Sequence, residues 1–206
     1  MSRPERLIGY WDKEAPSYER KIASAERRFF ADSRQWVCRR AAGATLEVAV
    51  GTGLNFPHYA DDVRLTAVDW SPQMVQAAER SAARLARPIT LARADAMALP
   101  FEDELFDAVV CTFALCCIPD ERVALSEAIR VLRPGGSLLL ADHIVASNLG
   151  LRAIEYLVEL VTIPLQGEHY TRRPLNTVRQ LGLEIVETDR FTYGAIERVH
   201  ARKSAG

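Results

Sequence analysis

The chain has 206 residues, of which 49% are hydrophobic and 26% are charged, and its formal net charge at pH 7 is -1. This size and composition predict one globular domain with a full core. The balanced charge argues against a nucleic-acid-binding protein, because such proteins carry a basic excess. The long apolar stretch from Leu149 to Leu165 is too short and too charged to predict a membrane span.

The four cysteines, Cys38, Cys111, Cys116 and Cys117, lack the paired spacing of a zinc site. Two adjacent cysteines would form a strained disulfide, so we expect reduced thiols, no bound metal and a cytoplasmic location. The N-terminal Met-Ser-Arg-Pro-Glu-Arg has no apolar run behind it, and no signal peptide is expected. Peripheral contact with a membrane and the oligomeric state are left open.

The first 42 residues are rich in aromatic side chains and predict an N-terminal helical cap. Ala15-Pro16-Ser17 interrupts the helical pattern, because a proline disfavours helix in the residue before it. We expect a short helix, a break, and a longer helix from about Ser17 to Ala42. This segment is either a layer packed on a sheet or a lid that brings Tyr10, Trp11 or Tyr18 to a ligand.

Residues 43–145 alternate between apolar strands and amphipathic helices. Strands are expected at about 45–50, 64–69, 89–92, 106–113 and 137–142, with a sharp turn at 133–136. Helices should begin at Ser71-Pro72 and Pro119-Asp120, since serine is a good N-cap and proline suits the first helical position. Such alternation predicts a cofactor-binding core built on a parallel sheet.

The segment 146–182 predicts helices on the substrate side of this core. Apolar residues recur at helical spacing from Leu149 to Leu165, most simply in a helix that faces the core and alternatively in one that walls a substrate pocket. A polar loop at 166–174 and a helix at 175–181 follow. Two closing strands, about 183–189 and 194–202, have no room for a crossover helix between them. The last strand must therefore run antiparallel.

Thr45-Leu-Glu-Val-Ala-Val-Gly-Thr-Gly53 predicts a buried strand that ends in a tight, glycine-rich turn. In a doubly wound sheet, ligands lie beyond the carboxyl ends of the strands, at turns of this kind. The choice is between a dinucleotide and S-adenosylmethionine. The dinucleotide fingerprint has a small third residue beside the pyrophosphate, and Phe56 occupies that place here. The turn therefore favours a cofactor without pyrophosphate.

Carboxylates follow the next two strands. Asp69 ends the second strand, where a carboxylate accepts hydrogen bonds from both ribose hydroxyls in either cofactor class. Asp95 follows the third strand, where it can accept from the exocyclic amino group of adenine while Ala96 and Met97 face the ring. The alternative for each is a purely structural role, for Asp95 as a turn or capping residue.

Several segments resemble the motifs of the class I S-adenosylmethionine-dependent methyltransferases. They are 46–53, 67–74, 94–101, 106–117 and 131–137. Ala49 replaces the first glycine of the family's E-x-G-x-G-x-G motif. The resemblance implies an α/β protein with the Rossmann-like methyltransferase fold: a doubly wound seven-stranded sheet with an antiparallel last strand. It also implies S-adenosyl-L-methionine as cofactor and S-adenosyl-L-homocysteine as product.

Position by position, the resemblance implies a set of cofactor contacts. They are Tyr18, Glu47, Ala49, Gly51, Thr52, Gly53, Asn55, Asp69, Trp70, Met74, Asp95, Ala96, Met97, Thr112 and Phe113. Thr112 and Phe113 are placed near the sulfonium. Tyr18 resembles an N-terminal tyrosine that covers the cofactor in quinone-biosynthesis and phospholipid methyltransferases.

His143 is the candidate catalytic residue, because it falls at the carboxyl end of a central strand, where a histidine can take a proton near neutral pH. A structural histidine is the alternative. His143, Tyr10, Trp11, His169 and Tyr170 are the expected contacts to the acceptor. We expect methyl transfer to O, S or N of a small, fairly apolar molecule. A thiol acceptor needs less help from a base, because thiolate forms readily near neutral pH.

Closer resemblance leads in two directions. Segments 111–118, 133–136 and 142–143 resemble the mammalian thiol methyltransferases, and the N-terminal entry resembles bacterial phosphatidylethanolamine N-methyltransferases. A phospholipid head-group amine is therefore an alternative acceptor. Two rivals from other classes remain: a non-catalytic cofactor-binding or scaffold protein on the same fold, and an NAD-dependent oxidoreductase.

Overall fold

The computed structural model describes residues 3–205. Its strands are β1 (Ala44–Val48), β2 (Arg64–Asp69), β3 (Thr90–Arg93), β4 (Phe106–Thr112), β5 (Leu132–His143), β6 (Glu184–Phe191) and β7 (Ile196–Arg202). Its α-helices are α1 (Arg3–Glu14), α2 (Tyr18–Ala25), α3 (Ser33–Cys38), α4 (Pro72–Leu85), α5 (Glu121–Val131), α6 (Leu149–Gln166) and α7 (Pro174–Gln180). A π-helical turn covers Glu26–Phe30, and a 3-10 turn covers Phe56–His58.

All seven strands form one sheet in the order β3-β2-β1-β4-β5-β7-β6. Strands β1 to β5 pair in parallel, whereas β7 is antiparallel to both of its neighbours, β5 and β6. The doubly wound sheet and its antiparallel last strand are therefore confirmed. The chain builds outward from β1 in one direction and from β4 in the other. A ligand crevice is expected where these halves meet, beyond the carboxyl ends of β1 and β4.

The core has two parts, one on each face of the sheet. Successive residues of β4 point alternately into them: Val109 packs with side chains of α5 and α7, and Val110 packs with those of α3 and α4. Both valines are fully buried. This double burial is what a nearly continuous apolar run predicts for a central parallel strand.

The turn predicted at 133–136 lies within β5 as an outward loop. Phe106 pairs with Leu132 and Ala108 pairs with Ser137, so the residues between Leu132 and Ser137 bulge from the ladder. Gly135 adopts φ 76, a left-handed conformation that glycine allows without strain. Regular pairing begins at Ser137, as the sequence predicts.

The predicted long helix from about Ser17 to Ala42 is wrong. Helix α2 ends at Ala25, the π-helical turn follows, and Ala31 at φ 49 breaks the chain before α3 begins. A non-glycine residue in the left-handed region needs support from elsewhere. That support is tertiary, because the Arg198 guanidinium binds Asp32 Oδ1 at 2.5 Å and Ser33 Oγ at 3.1 Å.

Helix α6 has the predicted length, but the prediction that its apolar residues face the core is wrong. Leu149, Leu157 and Leu160 are 76%, 66% and 73% exposed, while Glu155 and Glu159 are 7% and 8% exposed. The helix therefore turns its charged side chains inward and its apolar side chains to solvent. None of the described helices is both long and apolar enough to cross a bilayer.

The inward glutamates of α6 satisfy loop backbone. Glu155 Oε2 accepts from the Ala146 N–H at 2.9 Å, and Glu159 Oε1 accepts from the N–H and the hydroxyl of Thr171 at 2.7 and 2.9 Å. Buried backbone groups outside strands require such partners. The loops on either side of α6 thus determine which face of the helix lies inward.

Candidate cofactor site

A crevice opens at the carboxyl ends of β1 and β4, with about 840 Å³ of empty space including the part open to solvent. Most of the predicted residues line it: Trp11, Tyr18, Ala49, Gly51, Thr52, Asp69, Trp70, Met74, Asp95, Ala96, Thr112 and Phe113. The others do not: Tyr10, Glu47, Gly53, Asn55, Met97, His143, His169 and Tyr170.

The turn after β1 is strongly left-handed. Ala49, Gly51 and Gly53 have φ values of 55°, 57° and 84°. A Cβ added to Gly51 would have no neighbour within 4 Å, so the backbone at Gly51 is bare toward the crevice. A Cβ added to Gly53 would lie 2.4 Å from the ring of Phe56, which is fully buried. The two glycines therefore have different tasks: Gly51 opens the crevice and Gly53 makes room for Phe56.

Only a short 3-10 turn, Phe56–His58, follows this glycine-rich turn. Dinucleotide sites place the pyrophosphate at the N-terminus of a full α-helix, where several N–H groups and the helix dipole meet. The described chain has no such helix after β1. The structure therefore agrees with the sequence pattern in disfavouring a dinucleotide.

Asp69 is held by the backbone around it. Its Oδ2 accepts from the Gly51 N–H and its Oδ1 from the Ser71 N–H, both at 2.9 Å. Burial raises the pKa of Asp69 to about 6, against the opposing effect of these N–H donors. Each carboxylate oxygen keeps a second lone pair, so Asp69 can still accept hydrogen bonds from a pair of ligand hydroxyls.

Glu47 and Asn55 lie behind the wall of the crevice. Glu47 is 2% exposed, and it accepts from Asn55 Nδ2 and from the Tyr59 hydroxyl, both at 2.9 Å. Burial raises the pKa of Glu47 to about 7. Asn55 Nδ2 also donates to Thr112 Oγ1 at 2.9 Å. Glu47 and Asn55 thus orient Thr112, which does line the crevice.

Arg34 also lines the crevice, although it is not among the residues predicted from the sequence. Its guanidinium binds Glu26 Oε1 at 2.5 Å, Asn55 Oδ1 at 3.0 Å and Thr112 Oγ1 at 3.1 Å. It also lies 5.1 Å from the centre of the Phe113 ring. Arg34 is a largely buried cation that can bind a carboxylate. Its place in the crevice depends on the helix break at Ala31, so no local pattern signals it.

Two further polar groups of the crevice, on Thr52 and Asp95, are available for a ligand. Thr52 Oγ1 is buried and has no hydrogen-bond partner in the described part of the chain. Buried hydroxyls rarely stay unpaired, so a ligand atom is expected there. Asp95 is exposed at the crevice, and its Oδ1 accepts from the Met97 N–H at 2.8 Å. That hydrogen bond fixes the carboxylate, while the Met97 side chain packs against the core and does not line the crevice.

Phe113 follows β4 and closes one side of the crevice. It adopts φ 52, and its ring stacks on that of Phe30 with centroids 4.0 Å apart. Its N–H donates to the Ala141 carbonyl at 2.7 Å. The stacked pair and this hydrogen bond hold a conformation that a bulky residue avoids on its own. Strain of this kind is typical of positions where a chain turns a side chain into a site.

Helix α1 covers the crevice. Asp12 Oδ1 accepts from the Ser71 hydroxyl at 2.6 Å, at the N-terminus of α4. Trp11 lines the crevice and meets Tyr18 edge to face, with centroids 6.2 Å apart. Tyr10 instead donates its hydroxyl hydrogen to Gln166 Oε1 at 2.5 Å, at the end of α6. Of the N-terminal aromatic candidates, Trp11 and Tyr18 reach the crevice, and Tyr10 ties α1 to α6.

His143 belongs to a second cluster beside the crevice. Its Nε2 is 3.2 Å from Glu168 Oε1, and its ring stacks on Tyr170 at 4.6 Å. Burial opposes the protonated form, but the hydrogen bond to Glu168 and the charge of Asp142 outweigh it and raise the pKa of His143. His143 Nδ1 is buried with no partner among the described residues. The contacts of His143 are thus with Asp142, Glu168 and Tyr170, and it does not border the crevice.

Cysteines connect the His143 cluster to the crevice. Cys117 lines the crevice, and its sulfur, that of Cys116 and a Glu168 oxygen lie within 4.8 Å of one another. The backbone N–H of His169 donates to the Cys116 carbonyl at 2.9 Å, which places His169 on the same loop. All four cysteines are free thiols.

A methyltransferase-domain family matches residues 46–140. A phosphatidylethanolamine N-methyltransferase of Cereibacter sphaeroides is 36% identical over 55% of this chain and 57% of its own length. A demethylmenaquinone methyltransferase of Renibacterium salmoninarum is 35% identical over 68% and 60%. The human thiol S-methyltransferase TMT1B is 33% identical over 67% and 63%. The matches thus span about 60% of the length of these curated relatives.

Solved structures show the same fold. A Bacillus halodurans protein described as a methyltransferase superposes with a TM-score of 0.72 at 20% identity, covering 85% of this chain and 99% of its own. An S-adenosylmethionine-dependent methyltransferase of Thermotoga maritima superposes with a TM-score of 0.71 at 23% identity, covering 96% and 100%. These likenesses show that the chain has the methyltransferase fold, and the methyltransferase-domain match lies on the part of the chain that forms β1 to β5 and most of the crevice.

Proposed function

We propose that the protein is an enzyme that transfers a methyl group from S-adenosylmethionine to O, S or N of a small, fairly apolar molecule. One observation carries this proposal. Gly51, Asp69 and Asp95, which follow three neighbouring strands, line a single crevice at the point where the sheet order reverses. A bare backbone and two carboxylates in that arrangement match a nucleoside with an amino-acid tail and no phosphate.

The polar groups of the crevice suggest how the cofactor lies in it. Asp69 accepts from the ribose hydroxyls, and Asp95 accepts from the adenine amino group, with Trp70 and Met74 against the ring. Arg34 is the cation for the methionine carboxylate, and the unpaired hydroxyl of Thr52 is an additional partner at that end. This orientation directs the sulfonium toward Thr112 and Phe113.

For methyl transfer, the main task of the protein is to hold the cofactor and the acceptor in the right relative position. The cofactor supplies an electrophilic methyl group, and the acceptor must lie behind it for an in-line displacement. Holding two reactants in that geometry replaces a bimolecular encounter, and effective molarities of about 10⁵ M or more are attainable in this way. Trp11 and Tyr18 line the crevice together with Phe113, where they can limit the access of solvent to the reacting atoms. A dry pocket strengthens each fixed charge around the reacting atoms.

The residues that line the crevice are the structural support for the proposed class of methyl acceptor. Ile118, Pro119 and Trp11 give it an apolar side, which suits a small apolar molecule. The named relatives act on a phospholipid amine, a quinone precursor and a thiol. A phospholipid head-group amine therefore remains the alternative acceptor.

Calorimetry tests the cofactor half of the proposal. S-adenosylmethionine and S-adenosylhomocysteine are both expected to bind, whereas NADH is not. No heat of binding at millimolar S-adenosylmethionine would contradict the proposal. A panel of thiols, phenols and amines with labelled cofactor then tests transfer and identifies the acceptor atom.

The rival is a non-catalytic cofactor-binding protein on the same fold. It predicts a crevice filled by the cofactor, with no room for an acceptor beside the methyl group. Tight cofactor binding with no transfer to any member of the panel would favour the rival.

A further inference from the structure

We propose that the outer face of α6 docks the protein on the surface of a lipid bilayer that carries anionic headgroups. Every exposed residue of this 18-residue helix is uncharged. Its most exposed large apolar side chains are those of Leu149, Ile154, Leu157, Leu160, Val161 and Leu165, which are 56–76% exposed, and Tyr156 is 55% exposed beside them. Singly scattered apolar residues are ordinary on a surface, but a continuous apolar face along a whole helix marks an interaction site.

Cations border this face at its C-terminal end. Arg3 and Arg6 line a concavity between α1 and α6, together with Leu7, Ile163 and Pro164. Arg6 already has a partner within the chain, so we assign the headgroup contact to Arg3. A guanidinium beside an apolar groove fits a molecule that joins an anionic phosphate to an acyl chain.

The N-terminal end of the same face has a similar composition. The Ser147 N–H donates to the Tyr193 carbonyl at 3.1 Å, and the Thr192 hydroxyl donates to the Phe29 carbonyl at 2.9 Å. Tyr193 and Phe29, 78% and 42% exposed, are thereby brought beside the start of α6. The exposed Arg28 lies over the Phe29 ring at 5.6 Å. Aromatic rings next to basic side chains are typical of the membrane–water interface.

The distribution of charge favours a bilayer over a second copy of the chain. A two-fold dimer places the same patch on both subunits face to face. If two α6 helices paired antiparallel, Arg3 of each would approach Arg28 of the other; if they paired parallel, Arg3 would approach Arg3. Either arrangement brings like charges together at both ends, whereas an anionic bilayer meets each cation with an opposite charge.

Docking through α6 would bring the side of the crevice that α1 covers close to the bilayer surface. Tyr10 connects α1 to the end of α6, and the adjacent Trp11 lines the crevice. An acceptor dissolved in the bilayer would then enter past α1 without crossing water. This consequence rests on the proposed methyl transfer, but the docking itself does not.

Vesicle flotation tests the docking. The protein is expected to float with vesicles of phosphatidylcholine mixed with phosphatidylglycerol, and to partition at least tenfold less into phosphatidylcholine alone. The double variant Leu157→Glu, Leu160→Glu should lower partition into the mixed vesicles at least tenfold. Arg3→Gln and Arg28→Gln should each lower it about fivefold, and added salt should reduce binding of the unmodified protein.

Matched controls use exposed apolar residues of other helices. Leu85 and Val123 are 42% and 41% exposed on α4 and α5, and glutamate at both positions should leave partition unchanged. As a second measurement, Leu160→Trp should show blue-shifted emission with vesicles and quenching by brominated lipid, and Leu85→Trp should show neither. Failure of the unmodified protein to float, or unchanged partition of the double variant, would overturn the proposal. A dimer by light scattering that the double variant converts to monomers, without vesicle binding, would instead assign the face to a second copy.

Discussion

The N–H of Gly51 donates a hydrogen bond of 2.9 Å to the carboxylate of Asp69. This contact joins the turn after β1 to the end of β2, so the bare backbone and the carboxylate of the crevice are held in one geometry. The Ser71 N–H binds the other oxygen, which leaves the orientation of the carboxylate little freedom. The crevice is thus preorganised before a ligand enters it.

Replacement of Asp69 by alanine should weaken S-adenosylmethionine binding about 10- to 100-fold, because a charge-assisted hydrogen bond contributes roughly 1.5–3 kcal/mol. Calorimetry measures the affinity, and circular dichroism should show an intact fold. In the unmodified protein, affinity should fall as the pH is lowered through about 6, because protonation removes the anionic acceptor. Asp62→Ala, an exposed aspartate just before β2, is the control. Unchanged affinity in Asp69→Ala would remove Asp69 from the site.

Gly51→Ala should mainly weaken cofactor binding, whereas Gly53→Ala should mainly lower the stability of the fold. Gly53→Ala places a methyl group 2.4 Å from the buried Phe56 ring and should lower the free energy of unfolding by about 2 kcal/mol or more. Gly51→Ala meets no protein atom and should cost only about 1 kcal/mol, since Ala49 already tolerates a similar φ. Its methyl group should nevertheless weaken cofactor binding by at least tenfold. Urea unfolding and calorimetry on both variants provide the comparison, and equal binding losses would contradict it.

Arg34→Gln should weaken binding of S-adenosylmethionine and S-adenosylhomocysteine about tenfold, because it removes the cation opposite their carboxylate. Methylthioadenosine has the same nucleoside and no carboxylate, so its affinity should stay unchanged. Arg64→Gln, an exposed arginine at the start of β2, is the control variant. An equal loss for methylthioadenosine would mean that Arg34 only supports the fold of the crevice.

Glu47 should make the stability depend on pH. Burial raises its pKa from 4.5 to about 7, so the folded state binds a proton more tightly than the unfolded state between these values. The contribution of Glu47 to stability therefore falls as the pH rises from 4.5 to 7. Relative to the unmodified protein, Glu47→Gln should gain on the order of 1–3 kcal/mol across that window. Urea unfolding at pH 4.5, 6 and 8 measures this, and a constant difference would contradict the assignment.

His143 remains the predicted base for a hydroxyl acceptor, acting through a water or an intervening group because it does not border the crevice. A base works in its neutral form, so the rate with a phenol should rise with pH through the raised pKa of His143. His143→Ala should lower that rate about 100-fold and flatten the profile. The rate with a thiol should change far less. His58→Ala is the control, and an unaltered phenol profile would end the role of His143.

Those parts of the site that depend on local chemistry could be predicted from the sequence. The N-cap at Ser71 is one example: its Oγ accepts from the Met74 N–H at 3.1 Å, as a serine before a proline predicts. Asp69 and Asp95 follow their strands directly, and parallel strands bring their carboxyl ends to one edge of the sheet. The positions of Ser71, Asp69 and Asp95 in the structure are therefore those that their spacing in the sequence predicts.

The entry of Arg34 into the crevice and the orientation of α6 depend on contacts between residues far apart in the sequence. Arg34 enters the crevice because the chain breaks at Ala31, and Arg198 on β7 supports that break from the far end of the sequence. Periodicity predicted that α6 has an apolar face but not that this face points outward. The deciding contacts, from Glu155 and Glu159 to loop backbone, are tertiary and leave no local signal.

Asp12 connects the covering helix to the wall of the crevice. It accepts from the hydroxyl of Ser71, the residue that caps α4, and from the Gln73 N–H at 3.3 Å. Any swing of α1 that admits or releases a cofactor must break these hydrogen bonds. The first turn of α4 carries Met74 of the crevice wall. When α1 moves away, the Gln73 N–H in this turn loses Asp12 as its acceptor, and only the Ser71 hydroxyl still caps the helix. Opening the entrance would thus also loosen the adenine end of the crevice. The Asp12 carboxylate therefore controls both how tightly the cofactor is held and how fast it exchanges.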